Sequence, residues 1–134
     1  MKKLVLGIFL LSFLILPGQA DWTSDVGEAS YYHDRFQGRP TASGELYQST
    51  ELTAAHRTLA FGTLIRVTRL DTDQSVVVRV NDRGPHKEGR VVDLSRRAAE
   101  EIGLVRSGVA EVRIELFDPD SSLSQDAMEE PLQE

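Results

Sequence analysis

Two acidic residues lie in loop strings of small, turn-forming residues: Glu45 in Thr41-Ala42-Ser43-Gly44-Glu45, and Asp82 in Asn81-Asp82-Arg83-Gly84-Pro85. A carboxylate carried on such a loop faces a ligand or solvent instead of a core. Two carboxyl groups in different environments can divide general acid and base work. Glycosidic cleavage asks for both, a proton on the leaving oxygen and stabilisation of an oxocarbenium-like centre. Each residue also has a plainer reading. Asp82 would cap its own turn, and Glu45 would be an ordinary loop acid. His56, in Leu52-Thr53-Ala54-Ala55-His56-Arg57, would position a carboxylate or a sugar hydroxyl, or pack as a structural histidine. The planar fork of Arg83 suits a carboxylate, with a structural salt bridge as the competing use. Tyr31, Tyr32 and Phe36 would stack on sugar faces or on the core, and Asp93 would organise a turn. His33 and His86 lack partners at metal-ligand spacing and the chain has no cysteine, so neither a metal nor another cofactor is expected.

The segments that must hold these loops read as short strands. Val26–Tyr32 is a first strand. Gly62–Leu70 and Ser75–Asn81 are rich in β-branched residues and joined by Asp71-Thr72-Asp73-Gln74, as in a hairpin. Val76, Val78 and Val80 share one face of the second of these, so Asp82 stands where a Val-rich strand ends. Ala110, Val112, Ile114 and Leu116 alternate with polar partners in a half-buried final strand. One helix is predicted over Arg96–Ile102, capped by Ser95 and stopped at Gly103. LIRVTRL and VVVRVND are loosely alike, a hint of duplication.

The ends differ from this body. Lys2 and Lys3 precede an apolar run, Leu4–Leu16, and then Pro17-Gly18-Gln19-Ala20. This is a secretory signal-peptide pattern over residues 1–20, with an apolar run shorter than the ~20 residues that cross a bilayer. A periplasmic or secreted protein is expected, with no lipidation cysteine and no stable membrane insertion after cleavage. Residues 21–117 carry 15 acids and 13 Lys/Arg, whereas residues 118–134 carry 6 acids and no Lys/Arg. The body is expected to be one domain, followed by an acidic, disordered tail. The absence of a basic stripe argues against nucleic-acid binding.

Taken together, Gly27-Glu28-Ala29-Ser30-Tyr31-Tyr32, Gly38–Glu45, Leu52–Leu59, Phe61-Gly62-Thr63, Asn81–Pro85 and Gly89–Ser95 resemble the RlpA-like (rare lipoprotein A) family. The resemblance spans about residues 26–117. It implies a six-stranded double-psi β-barrel, mainly β with one or two short helices and an open groove. It further implies an endolytic peptidoglycan lytic transglycosylase that forms 1,6-anhydroMurNAc, with a preference for glycan strands stripped of stem peptides, downstream of amidases; a monomer is expected. The family's acidic positions map onto Asp82 and Glu45 and its site histidine onto His56. Tyr32, Thr41, Ser43 and Arg83 are the expected substrate-binding residues. The chain has Tyr31-Tyr32-His33 where the family has Trp-Tyr-Gly, which would alter a groove wall. It has Ala60 where the family has proline. Competing readings on related barrels are a non-catalytic expansin-like wall-polysaccharide binder, a barwin-like hydrolase, and an inhibitor or partner protein.

Overall fold

The computed structural model describes residues 24–121. The signal-peptide expectation and all but the first four residues of the acidic tail fall outside them. Six strands close into a barrel: β1 (Ser24–Tyr31), β2 (Thr53–Ala55), β3 (Leu64–Arg69), β4 (Ser75–Asp82), β5 (Arg90–Leu94) and β6 (Ala110–Leu116). Around the barrel the order is β1-β5-β2-β4-β3-β6. Two pairs are parallel, β1 with β5 and β2 with β4, and the other pairings are antiparallel. Closure removes sheet edges. This is the double-psi arrangement, and β1, β3, β4 and β6 occupy the four segments expected from sequence.

The interior is the inward face of that alternation. Ile65 and Val67 of β3, Val78 and Val80 of β4, Val92 and Leu94 of β5, and Val112 and Ile114 of β6 are all buried. Two short helices add to the core. Helix α1 (Arg96–Glu101) starts where predicted, with the Ser95 hydroxyl accepting from the Ala98 amide at 3.2 Å. The same hydroxyl donates to the Glu51 carbonyl at 2.5 Å, so the cap also ties the helix to the entry of β2. Helix α2 (Leu104–Ser107) follows directly, and a 3-10 turn covers Asp34–Phe36. A second short helix falls within the one or two expected, but neither its position nor the 3-10 turn was anticipated: each is four residues or fewer, too short to show a helical period.

Two strands departed from expectation. β2 is three residues, two of them alanine, a composition with little β preference; it is a strand because β4 and β5 flank it. Asp93 does not organise a turn. It lies within β5 and is paired with Ser30 of β1 and Ala55 of β2. At the other end, residues 119–121 are helical, and the Asp118 carboxylate accepts from the Asp120 amide at 2.9 Å.

Candidate functional site

Strict alternation along β4 would send Asp82 inward with Val76, Val78 and Val80. The register between β2 and β4 slips between Ala54 and Ala55: Ala54 pairs with Val80, but Ala55 pairs with Asp82. Asn81 is therefore an extra residue, and such bulges re-aim side chains beside sites. The slip turns Asp82 to the outer face. The same device occurs on the other parallel pair, where Glu28 pairs with Arg90 but Ala29 with Val92. Together the registers set Asp82, Ala55, Asp93 and Ser30 in one lateral row across β4, β2, β5 and β1. With strands about 4.8 Å apart, the two aspartates stand about 10 Å apart across a small alanine.

Asp82 is half-buried and strongly held. Its Oδ1 accepts from the amides of Ala42 and Arg83, each at 2.8 Å. Its Oδ2 accepts a very short hydrogen bond from the Tyr32 hydroxyl. Burial, followed by the bond to Asp82, pushes the Tyr32 phenol far above its ordinary range, so it stays a protonated donor. The Tyr32 ring stacks on Tyr47, centroids 4.4 Å apart, and meets the edge of Phe36 at 5.8 Å. Its aromatic surface is thus turned to neighbouring rings, and its hydroxyl orients the carboxylate.

The Glu45 loop closes on itself. The Thr41 amide and hydroxyl both donate to the Glu45 carbonyl, at 2.7 and 2.8 Å. The Ser43 hydroxyl accepts from the Glu45 amide at 3.3 Å and reaches its Oε2 at 3.5 Å. Gly44 takes φ +91°, a value that excludes most side chains. The loop docks on the end of β4 through Ala42 to Asp82 and through the Ser43 amide to the Asn81 carbonyl, 3.2 Å. Thr41 and Ser43, expected to bind substrate, are engaged in this scaffold. Glu45 itself is exposed and its Oε2 accepts from Arg79 Nη1 at 2.7 Å. That hydrogen bond holds its carboxyl below the usual glutamate range, so Glu45 is ionised at neutral pH.

His56 is buried. Its Nδ1 accepts from the amides of Thr58 and Leu59 at 3.2 and 3.1 Å, which assigns the neutral tautomer with the proton on Nε2. Burial lowers its proton affinity further. Its backbone amide donates to the Asp82 carbonyl at 3.1 Å. Arg83 makes no ion pair among the described residues, contrary to the salt bridge considered from sequence. Its Nη1 donates to the carbonyls of His56 and Leu59, at 3.2 and 2.7 Å, and its guanidinium lies 4.0 Å from the Phe61 ring centroid. Tyr31 donates its hydroxyl to the Val105 carbonyl at 3.2 Å and packs on the core.

The structure thus gathers Asp82, Tyr32 and the Glu45 loop at one end of β4, with His56 and Arg83 beneath them. Asp93 is the acid that sequence reasoning missed: it accepts a very short hydrogen bond from the Ser30 hydroxyl and shares the outer face with Asp82. A signal existed, since one acid between Val92 and Leu94 faces outward if the segment is a strand. The arrangement can hold one carboxylate firmly for proton transfer beside a second that stays charged.

The residue pattern of the lytic transglycolase family matches residues 24–114. The chain is 53% identical over 94 residues to the endolytic peptidoglycan transglycosylase RlpA of Pasteurella multocida, covering 70% of this chain and 32% of that protein. It is 56% identical over 93 residues to a probable endolytic peptidoglycan transglycosylase RlpA of Nostoc, covering 68% and 25%. The chain therefore spans about a third or less of the length of these two relatives. Among solved structures, the Streptomyces papain inhibitor superposes with a TM-score of 0.59 at 18% identity, over 72% of this chain and 96% of that one. A Clavibacter michiganensis expansin superposes with a TM-score of 0.56 at 22% identity, over 72% and 52%; both likenesses concern the fold. With its barrel, its slipped registers and this match over its whole described strand order, the chain belongs to the lytic transglycolase family of RlpA-like double-psi β-barrel proteins.

Proposed function

We propose that this protein is an endolytic peptidoglycan lytic transglycosylase. The observation that carries the reading is the outward-turned Asp82, fixed by Tyr32 and two amides on the same strand end that receives the Glu45 loop. Relatives named endolytic peptidoglycan transglycosylase supply the substrate class. Asp82 Oδ2 is the oxygen assigned to proton transfer, because Oδ1 already accepts from two backbone donors.

In this mechanism protonated Asp82 gives its proton to the departing N-acetylglucosamine oxygen as the MurNAc C1–O bond breaks. The C6 hydroxyl of the same MurNAc attacks C1, and its proton returns to the Asp82 carboxylate. One C–O bond breaks, one forms, no water is consumed, and the product is 1,6-anhydroMurNAc. Glu45, kept ionised by Arg79, supplies negative charge to the oxocarbenium-like centre. Tyr32 positions Asp82 through its hydroxyl, and the Ser43–Thr41 scaffold positions Glu45. His56 and Arg83 hold the ledge on which Asp82 stands.

Peptidoglycan as substrate places the protein outside the cytoplasm, in the periplasm or secreted, in keeping with the sequence pattern of residues 1–20. A monomer acting after amidases on peptide-stripped strands completes the proposal. The test is mass spectrometry of products from purified peptidoglycan, intact and amidase-treated. Anhydro-ended glycans that disappear in Asp82→Asn support the reading. Reducing-end products overturn it in favour of hydrolysis, and full activity in both Asp82→Asn and Glu45→Gln overturns the residue assignment. Binding without any product would favour the expansin-like alternative.

A further inference from the structure

Beyond Tyr32, on the Asp93 side of the lateral row, lies a cavity of about 310 Å³. Ser30, Asp93, His33, His86, Lys87 and Arg90 are among the residues that line it. Lys87 and Arg90 thus line the same cavity as the Asp93 carboxylate, whose Oδ1 is already occupied by the Ser30 hydroxyl. Arg90 is the unusual member. Its side chain is 23% exposed, its Nε is buried and unbonded, and its ion-pair partner Glu28 Oε2 stays 3.7 Å away, beyond hydrogen-bond reach. A buried Nε–H without a hydrogen-bonded acceptor is costly, and a planar fork is the shape that receives a carboxylate in two parallel bonds.

The loop that carries the other cation is braced in advance. Arg57 donates from Nε to the Pro85 carbonyl at 2.6 Å and from Nη2 to the Lys87 carbonyl at 2.8 Å. The Arg90 amide closes the loop onto the Lys87 carbonyl at 3.2 Å. The backbone under Lys87 is therefore fixed while its side chain stays exposed.

We propose that Arg90 and Lys87 form a carboxylate-binding subsite of the groove, which receives the free lactyl carboxylate of a peptide-stripped muramic acid residue. The identity of this sugar acid rests on the function proposed above; the anion subsite rests on Arg90 and its cavity. Once a stem peptide is attached, that carboxylate is an amide and the charge is gone, so the subsite discriminates between stripped and substituted strands.

The test uses the purified protein carrying Asp82→Asn, so that glycan is not consumed, and calorimetric titration with three tetrasaccharides of alternating GlcNAc and MurNAc. One has free lactyl carboxylates, one has them converted to carboxamides, and one bears stem peptides. The free acid is expected to bind about 10- to 100-fold more tightly than the carboxamide, the range of one charge-assisted hydrogen-bonded contact. Adding Arg90→Gln should bring that ratio to within about threefold. Lys87→Gln, on an exposed loop, should reduce it by a smaller factor and carries the test if Arg90→Gln fails to fold by circular dichroism. Equal affinity for acid and carboxamide overturns the proposal, as does an unchanged ratio in the folded variants. Peptide-bearing glycan that binds as tightly as the free acid, and through Arg90, places the carboxylate in the stem peptide and overturns the lactyl assignment. Product formation by the unmutated protein is measured separately. A carboxylate-dependent affinity without anhydro products would leave the subsite standing and remove the transglycosylase reading.

Discussion

Replacing Tyr32 by phenylalanine removes one oxygen at the centre of the site. The ring stack on Tyr47 and the edge contact with Phe36 do not need that oxygen, so the packing survives. Asp82 keeps the amides of Ala42 and Arg83 at 2.8 Å on Oδ1. What it loses is the donor on Oδ2, the oxygen assigned to proton transfer, which is then free to rotate toward water. A hydrogen bond to a charged group contributes about 1.5–3 kcal/mol, a factor of roughly 10–150 in rate if it acts on the transition state. The effect on folding should be smaller, about 1 kcal/mol or less, because Asp82 is only half-buried and water can replace the hydroxyl. The assay is the initial rate of anhydro-product release from peptide-stripped glycan, with thermal unfolding in parallel. A kcat reduced at least tenfold with a nearly unchanged Tm supports Tyr32 as a positioning residue. A kcat within twofold of the parent refutes the reasoning, as does a rate loss that only follows lost folded protein.

Other consequences are independent. Gly27→Ala would place a Cβ 2.4 Å from Val91 Cγ1 and 3.0 Å from the Gly89 carbonyl; overpacking of this kind should destabilise by about 1–3 kcal/mol in urea unfolding, and unaltered stability would contradict it. Arg79→Gln removes the hydrogen bond that lowers the Glu45 carboxyl, so its titration, followed by carboxyl NMR, should move up toward 4.5; no movement would deny the pair. His56 is held neutral by burial, below its ordinary 6.5. As pH falls through 6.5 the unfolded chain takes that proton first, so stability should decline there, fully present above 6.5 and eroding until the folded histidine also protonates. His56→Asn, with a carbonyl able to accept from the 58–59 amides, should lack this increment in unfolding measured from pH 7.5 to 5.

The alternation of Val76, Val78 and Val80, the period-two run ending at Leu116, and the Ser95 cap before an apolar-faced helix were all legible in the sequence. So was Glu45 as a loop-borne acid, because small residues and a positive-φ glycine mark its loop locally, and so was Asp82 as the end of a Val-rich strand, although it is the last residue of β4 and not part of the loop that follows. Short-range chemistry decides these features, and a linear reading can reach them. The three-residue β2 could not be read, since its strand character comes from partners on both sides. Nor could the slip opposite Asn81, which sets the direction of Asp82: one extra residue in a register reverses a side chain, and register is a property of two strands. The same reason explains Asp93, a turn acid by sequence and an outward strand acid by pairing. Only the closed barrel brings Tyr32 onto Asp82, Arg79 onto Glu45, and Arg90, its Nε without a hydrogen bond, into the lining of the cavity beside them. Those contacts join residues 34 to 50 positions apart or lie between loops from different strands, where only tertiary structure decides which groups meet.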